Sequence, residues 1–167
     1  MKTTLHMSVS MDGFIAKADG NSDWVSKIDC DLFEQRYKEI GCVVVGRKTF
    51  DQFQGSLYPI NDIANIVLTS NKDITSKNRN VSFVGSVKEA VDLAVKKGFE
   101  RLLIAGGGRT NTAFLEANAI DEIFLSVHPI LLSEGIRLFE GSKKEHDFNL
   151  VGTREMGDGL VELHYRK

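Results

Sequence analysis

Short apolar runs punctuate this chain, separated by polar or glycine-rich turns, and their periods alternate between those of a strand and a helix. Residues 3–10 form the first candidate strand, ending in a turn at Asp12-Gly13. Asp31 can cap a helix over about 31–40, with Leu32, Phe33, Tyr37 and Ile40 on one side and Gly41 as its stop. Cys42 to Val45 is rich in β-branched residues and predicts a strand buried on both faces. Ile63 to Thr69 and Val81 to Val84 predict two more. Ser86 then starts a helix, with Glu89 as capping-box partner, Val87, Ala90, Val91, Ala94 and Val95 as its buried face, and Gly98 as its end. A strand over Arg101 to Ile104, a helix over Thr110 to Asn118 and a strand over Ile120 to Val127 follow. The tail, Asn149 to Arg166, predicts two strands joined at Gly157-Asp158-Gly159. This order implies an α/β domain of parallel strands with helical crossovers, finished by an antiparallel hairpin. No repeat, low-complexity tract or linker breaks it, so one domain is expected over residues 1–167.

Composition narrows the classes. Hydrophobic residues make up 42% and charged residues 26%, as in ordinary globular proteins. A net charge of -2 argues against nucleic-acid binding, which needs a basic face. No apolar run is long enough to cross a bilayer, and the start, Met1-Lys2-Thr3-Thr4-Leu5-His6, lacks the apolar core of a secretory signal. A cytoplasmic location without membrane partners is therefore expected, with Cys30 and Cys42 as free thiols.

Three segments share one design, an apolar strand running straight into a polar or glycine-rich turn. In open parallel sheets such turns gather where ligands bind. After Leu102-Leu103-Ile104-Ala105 come Gly106, Gly107 and Gly108, then Arg109, Thr110 and Asn111. Three missing Cβ atoms let backbone N–H groups approach a pyrophosphate at the following helix start. The same glycines would also suit a tight turn without a ligand. The spacing is neither a P-loop nor the six-residue dinucleotide fingerprint. The second segment offers Gly46, Arg47, Lys48 and Thr49, and the third Thr69, Ser70, Asn71 and Lys72. Arginine is the better bidentate phosphate partner. Each of these two also reads as a solvated polar turn. Together, three anion-friendly turns on one sheet edge fit a long ligand with several phosphates, such as NADPH. The basic and hydroxyl groups at Arg47, Thr69, Ser70 and Lys72 favour NADPH over NADH.

For the substrate side the candidates are carboxylates. Asp12 closes the first strand, and Asp19, Asp23, Asp29 and Asp31 surround Trp24. One buried carboxylate beside an aromatic wall can orient or protonate a heterocycle, which makes Asp31, Asp29 and Asp12 the candidates. His6, His128, His146 and His164 lack metal-ligand spacing and read as structural, and no bound metal is expected. No nucleophile elbow supports a hydrolase.

The pattern resembles a known family. Gly46-Arg47-x-Thr49, Thr69-Ser70 and Gly106-Gly107-Gly108-Arg109, each after a strand, follow the order and rough spacing of dihydrofolate reductases. Ser10-Met11-Asp12-Gly13, and the stretch from Asp121-Glu122-Ile123 through His128-Pro129-Ile130-Leu131-Leu132 to Gly135 and Leu138-Phe139, are more specific. They resemble the reductase domain of the bacterial riboflavin-biosynthesis deaminase–reductase and its stand-alone relatives. The resemblance implies a dihydrofolate-reductase-like three-layer sandwich with a mostly parallel sheet. It implies NADPH held by Arg47, Thr49, Thr69, Ser70 and Gly106 to Thr110, with hydride passing to a pyrimidine- or pterin-like heterocycle. Dihydrofolate reduction, or nucleotide binding without catalysis, are the alternatives. Ile63 stands where folate enzymes carry an arginine for the glutamate tail. Counting five residues from the tryptophan gives Asp29 as the helix acid, and alignment on Asp-Leu gives Asp31. His6 replaces a lysine usual in riboflavin-pathway reductases, and Asp51-Gln52-Phe53-Gln54-Gly55 replaces their Asp-x-Pro…Arg segment. Family members commonly pair, and the apolar stretch Pro129 to Phe139 predicts a homodimer interface or a loop folded back on its own core.

Overall fold

The computed structural model describes residues 1–71 and 73–167. In chain order the elements are β1 (Lys2–Ser10), β2 (Phe14–Ala16), α1 (Lys27–Ile40), β3 (Cys42–Gly46), α2 (Arg47–Gln52), β4 (Ala64–Leu68), β5 (Val81–Val84), α3 (Val87–Lys96), β6 (Arg101–Ile104), α4 (Gly108–Glu116), β7 (Glu122–His128), β8 (Ile136–Arg137), β9 (Asn149–Gly157) and β10 (Leu160–Arg166). Eight strands form one sheet in the order β5-β4-β3-β6-β1-β7-β10-β9. The first six run parallel, and β10 is antiparallel to both β7 and β9. A separate ribbon pairs β2 with β8.

The central strands are apolar because both faces are covered. Cys42, Val44, Leu102 and Ile104 face one core cluster with Ala90, Ala94 and Phe114 of α3 and α4. Val43, Val45 and Leu103 face the other with Ile40 and Phe50, against which Phe33 and Tyr37 of α1 pack. Alternate residues of one strand therefore serve opposite layers.

Several expected boundaries move. Helix α1 begins at Lys27 rather than near Asp31, because the Ser26 hydroxyl caps it by accepting the Asp29 N–H. Gly41 stops it at φ 74°, as its lack of a Cβ allows. The Ser86 hydroxyl caps α3 as predicted, but the Glu89 carboxylate reaches Gly85 N–H instead of the cap residue's own. Val95 is exposed, and Phe99 just beyond the helix packs on the core instead. Helix α4 starts two residues earlier than expected, at Gly108. The hairpin turns at Asp158-Gly159, both at positive φ, as a two-residue primed turn requires. Among the described residues no helix is long and apolar enough to cross a membrane.

Candidate functional site

The carboxyl ends of the parallel strands open onto two cavities. The larger, about 970 Å³, lies where β3, β5 and β6 give way to their following helices and β4 to its loop. It is lined by Gly46, Arg47, Lys48, Thr49, Thr69, Ser70, Gly107, Gly108, Arg109 and Thr110, among others. All expected cofactor residues are there except Gly106 and Asn71. The Gly106 carbonyl accepts the Gly46 N–H, and the Asn71 amide oxygen accepts the N–H of Asp73 within its own loop. Lys72 lies outside the described residues.

This cleft is built for an anion. Gly107 caps α4 without any side-chain hydrogen bond, leaving first-turn N–H groups at the positive end of a nine-residue helix. Gly85 and Ser86, at the start of α3, line the same cleft. They form a fourth turn of the same polar or glycine-rich design, which the capping role of Ser86 concealed in the sequence. The glycines have a packing reason as well as a ligand one. A Cβ on Gly46 would stand 2.4 Å from Thr110 Oγ1, and one on Gly108 2.4 Å from the Arg137 carbonyl oxygen. Arg47 Nε donates to both Asp51 oxygens at 2.6 and 2.7 Å, leaving its terminal nitrogens free of that contact.

The second cavity, about 430 Å³, lies between β1, α1 and the segment following α2. Phe33, Tyr37, Phe53 and Tyr58 give it aromatic walls, and His6, Ser8, Asp29 and Glu34 its polar groups. Thr49, Gly107 and Ile136 line both cavities, so the two meet there.

The polar groups form a relay whose protons can be assigned. Arg36 Nη1 lies 2.8 Å from His6 Nδ1 and can only donate, so Nδ1 accepts and carries no proton. His6 Nε2–H then donates to Asp29 Oδ1 at 3.0 Å, and the Ser8 hydroxyl donates to Asp29 Oδ2. Burial lowers the His6 pKa and the Arg36 charge adds to this, which keeps the ring neutral. Burial alone would raise the Asp29 carboxyl, but hydrogen bonds from His6 and the neighbouring serines hold it below the usual range. Arg36 is fixed in turn by Glu162 and lies 3.8 Å from the centre of the Phe124 ring. His6 is thus not a detached structural histidine. Its partners lie 23 and 30 residues away, which local sequence does not reveal.

The three expected carboxylates part company. Asp29 lines the second cavity, while Asp12 and Asp31 do not. Asp31 is exposed and paired with Lys27 at 2.7 Å, one helical turn away. Asp12 accepts from Ser10 Oγ, Leu132 N–H and Ser133 N–H, tying the first turn to the loop after β7, and the Ser10 bond keeps its carboxyl below the ordinary range. His128 accepts the Ser26 N–H and packs edge-on against Trp24, behind Asp29. Among the described residues no group of His, Cys, Asp and Glu is arranged to hold a metal.

Comparison with known proteins bears on the family and the fold. A family model described as the RibD C-terminal domain matches residues 1–162. The chain is 32% identical, over a 171-residue alignment, to the uncharacterised protein YwjB of Bacillus subtilis (strain 168), covering 98% of this chain and 97% of that one. A crystal structure of a protein assigned to riboflavin biosynthesis, from Shewanella sp. PV-4, superposes with a TM-score of 0.80 at 27% identity, over 99% of this chain and 98% of that one. The diaminohydroxyphosphoribosylaminopyrimidine deaminase/5-amino-6-(5-phosphoribosylamino)uracil reductase of Thermotoga maritima shares the fold at a TM-score of 0.77 and 18% identity. That likeness covers 99% of this chain and 56% of the Thermotoga one.

Proposed function

The chain belongs to the RibD C-terminal domain family, and from that premise we propose that it is an NADPH-dependent reductase of the riboflavin-biosynthesis type, acting on a pyrimidine- or pterin-like heterocycle. The observation that carries this reading is the meeting of two unlike cavities at Thr49, Gly107 and Ile136. One side offers uncapped backbone N–H groups, hydroxyls and guanidinium groups, the donor set that nucleotide phosphates require. The other offers aromatic walls and a fixed carboxylate relay, suited to a flat heterocycle.

In this reading Arg47, Lys48, Thr69, Ser70 and the start of α4 hold the phosphates. Bound NADPH supplies the hydride, and the protein supplies orientation and electrostatics. Asp29 stays charged and fixes Ser8 and His6 against the heterocycle, while the aromatic walls exclude water from it. Heterocycle-dependent oxidation of NADPH, followed by absorbance over a panel of pyrimidines and pterins, tests the proposal. Turnover should fall by about tenfold or more in Asp29→Asn, in keeping with the loss of a positioned charge. NADPH binding with no oxidation by any member of the panel would favour a non-catalytic nucleotide-binding module on the same fold.

A further inference from the structure

The second cavity differs from its neighbour in the sign of its charges. Asp23, Asp29 and Glu34 line it, and among the described residues no lysine or arginine does. Two of the lining carboxylates are paired with lysines outside the lining, Asp23 with Lys17 and Glu34 with Lys38. Arg36 lies behind His6, held by Glu162, and does not line the cavity. The adjoining cleft, by contrast, presents the three cations Arg47, Lys48 and Arg109 beside the two carboxylates Asp51 and Glu140. A phosphate in the second cavity would be desolvated beside carboxylates with no cation to pair with it.

The relay also fixes what Ser8 can offer. Asp29 is charged and only accepts, so the Ser8 hydrogen points at its Oδ2. What remains on Ser8 Oγ, at the cavity wall, is a pair of acceptor sites.

We infer that the ligand of the second cavity is a planar heterocycle without a phosphate, presenting an N–H donor to the Ser8 hydroxyl oxygen. The inference rests on the reductase reading, which gives the phosphates of the dinucleotide to the other cleft. It separates this chain's substrate from the phosphoribosyl compound in the name of the Thermotoga protein. Ser8 is then a specificity-determining residue, and Arg36, His6 and Asp29 are positioning residues that orient its hydrogen.

The test compares 5-amino-6-(ribosylamino)uracil with its 5′-phosphate by calorimetry on the full chain at saturating NADP+, which fills the anion cleft without supplying a hydride, so that neither probe can lodge there or turn over. The NADPH titration comes first, and its failure would count against the functional reading rather than this one. In that event Glu34→Lys, which adds a cation to the second cavity alone, still reports where the probes bind. The unphosphorylated probe should bind at least as tightly as the phosphate. Glu34→Lys should shift the preference toward the phosphate by about tenfold. Ser8→Ala should weaken the unphosphorylated probe by about tenfold while leaving NADPH affinity unchanged, which also reports a folded protein. A parent protein that binds the phosphate tenfold more tightly would overturn the inference. So would failure to bind either probe at millimolar concentration, or a Ser8→Ala variant of unchanged affinity.

Discussion

At the scale of single residues, the candidate site turns on which carboxylate faces the cavity. The sequence left Asp29 and Asp31 both open, because two ways of counting along α1 gave two answers. The Ser26 cap decides it, setting the helix phase so that Asp29 points inward to His6 while Asp31 meets Lys27 in solvent. Local patterns do not resolve such a choice, since a two-residue step on a helix turns a side chain to a different face. Ile63 was legible, and it is buried in the second core cluster, unable to meet an anion. Two basic residues of α1 are also committed, Lys27 to Asp31 and Arg36 to Glu162 and His6. Among the described residues no arginine lines the second cavity, so a glutamate tail would find no bidentate partner in its lining. Dihydrofolate and a tail-less dihydropterin should show specificity constants within about tenfold of one another. A stronger preference for dihydrofolate in the NADPH absorbance assay would mean that another cation reaches its tail.

At the scale of elements, strands were easier to read than helix starts. β5 and β6 fall at the expected residues, because each is a short, mostly apolar run bounded by polar or glycine-rich segments. α1 and α4 begin earlier than expected, since their first turns are polar and look like loop. The short helix α2 carries Arg47 on the rim of the anion cleft, near the Phe83 ring and with Thr69 and Ser70 on the same lining. This places the Arg47 side chain toward the outer strands, whereas Thr49 of the same helix reaches the junction with the second cavity. Arg47→Ala should weaken NADPH by about tenfold, or ~1.5 kcal/mol, at the low end for a charge-assisted contact because Asp51 competes for the guanidinium. NADH should barely change in the same calorimetric titration, and an equal loss for both would move Arg47 to the pyrophosphate.

A second element-scale device joins strands β1, β7 and β10. Glu122 on β7 accepts from Lys2 at 3.0 Å, His164 at 2.6 Å and Arg166 at 2.9 Å. Burial pushes its carboxyl up, but these partners outweigh it and bring the pKa down to about 2 from 4.5. A carboxyl depressed on folding stabilises the folded state above 4.5 and loses that contribution as pH falls toward 2. Glu122→Gln should cost about 2 kcal/mol at neutral pH in denaturant unfolding. The gap from the parent should narrow steadily below pH 4.5. A gap that stays constant with pH would assign the loss to packing rather than charge.

At the scale of the whole molecule, the expected class and the closing hairpin match the observed sheet, because the alternation of strand and helix periods carries connectivity. The β2–β8 ribbon was not legible. Its strands have three and two residues, and they pair across more than a hundred positions of chain. It matters to function, since it sets Ile136 at the junction of the cavities. Phe139 packs on the first core cluster, whereas Leu131 and Met11 stay 63% and 58% exposed. With Leu150 and Val151 exposed on the edge strand β9, a self-association surface is expected. Light scattering at micromolar concentration should give a dimer mass, and a monomer mass would count against the interface.

The proposed dinucleotide and substrate sites meet at Thr49, Gly107 and Ile136. A crystal structure of the chain soaked with NADPH measures this directly. The phosphates should lie at the start of α4 and beside Arg47, with the nicotinamide reaching the junction and opening toward Ser8 and Asp29. A nicotinamide pointing away from the junction, or phosphates lodged in the aromatic cavity, would contradict it.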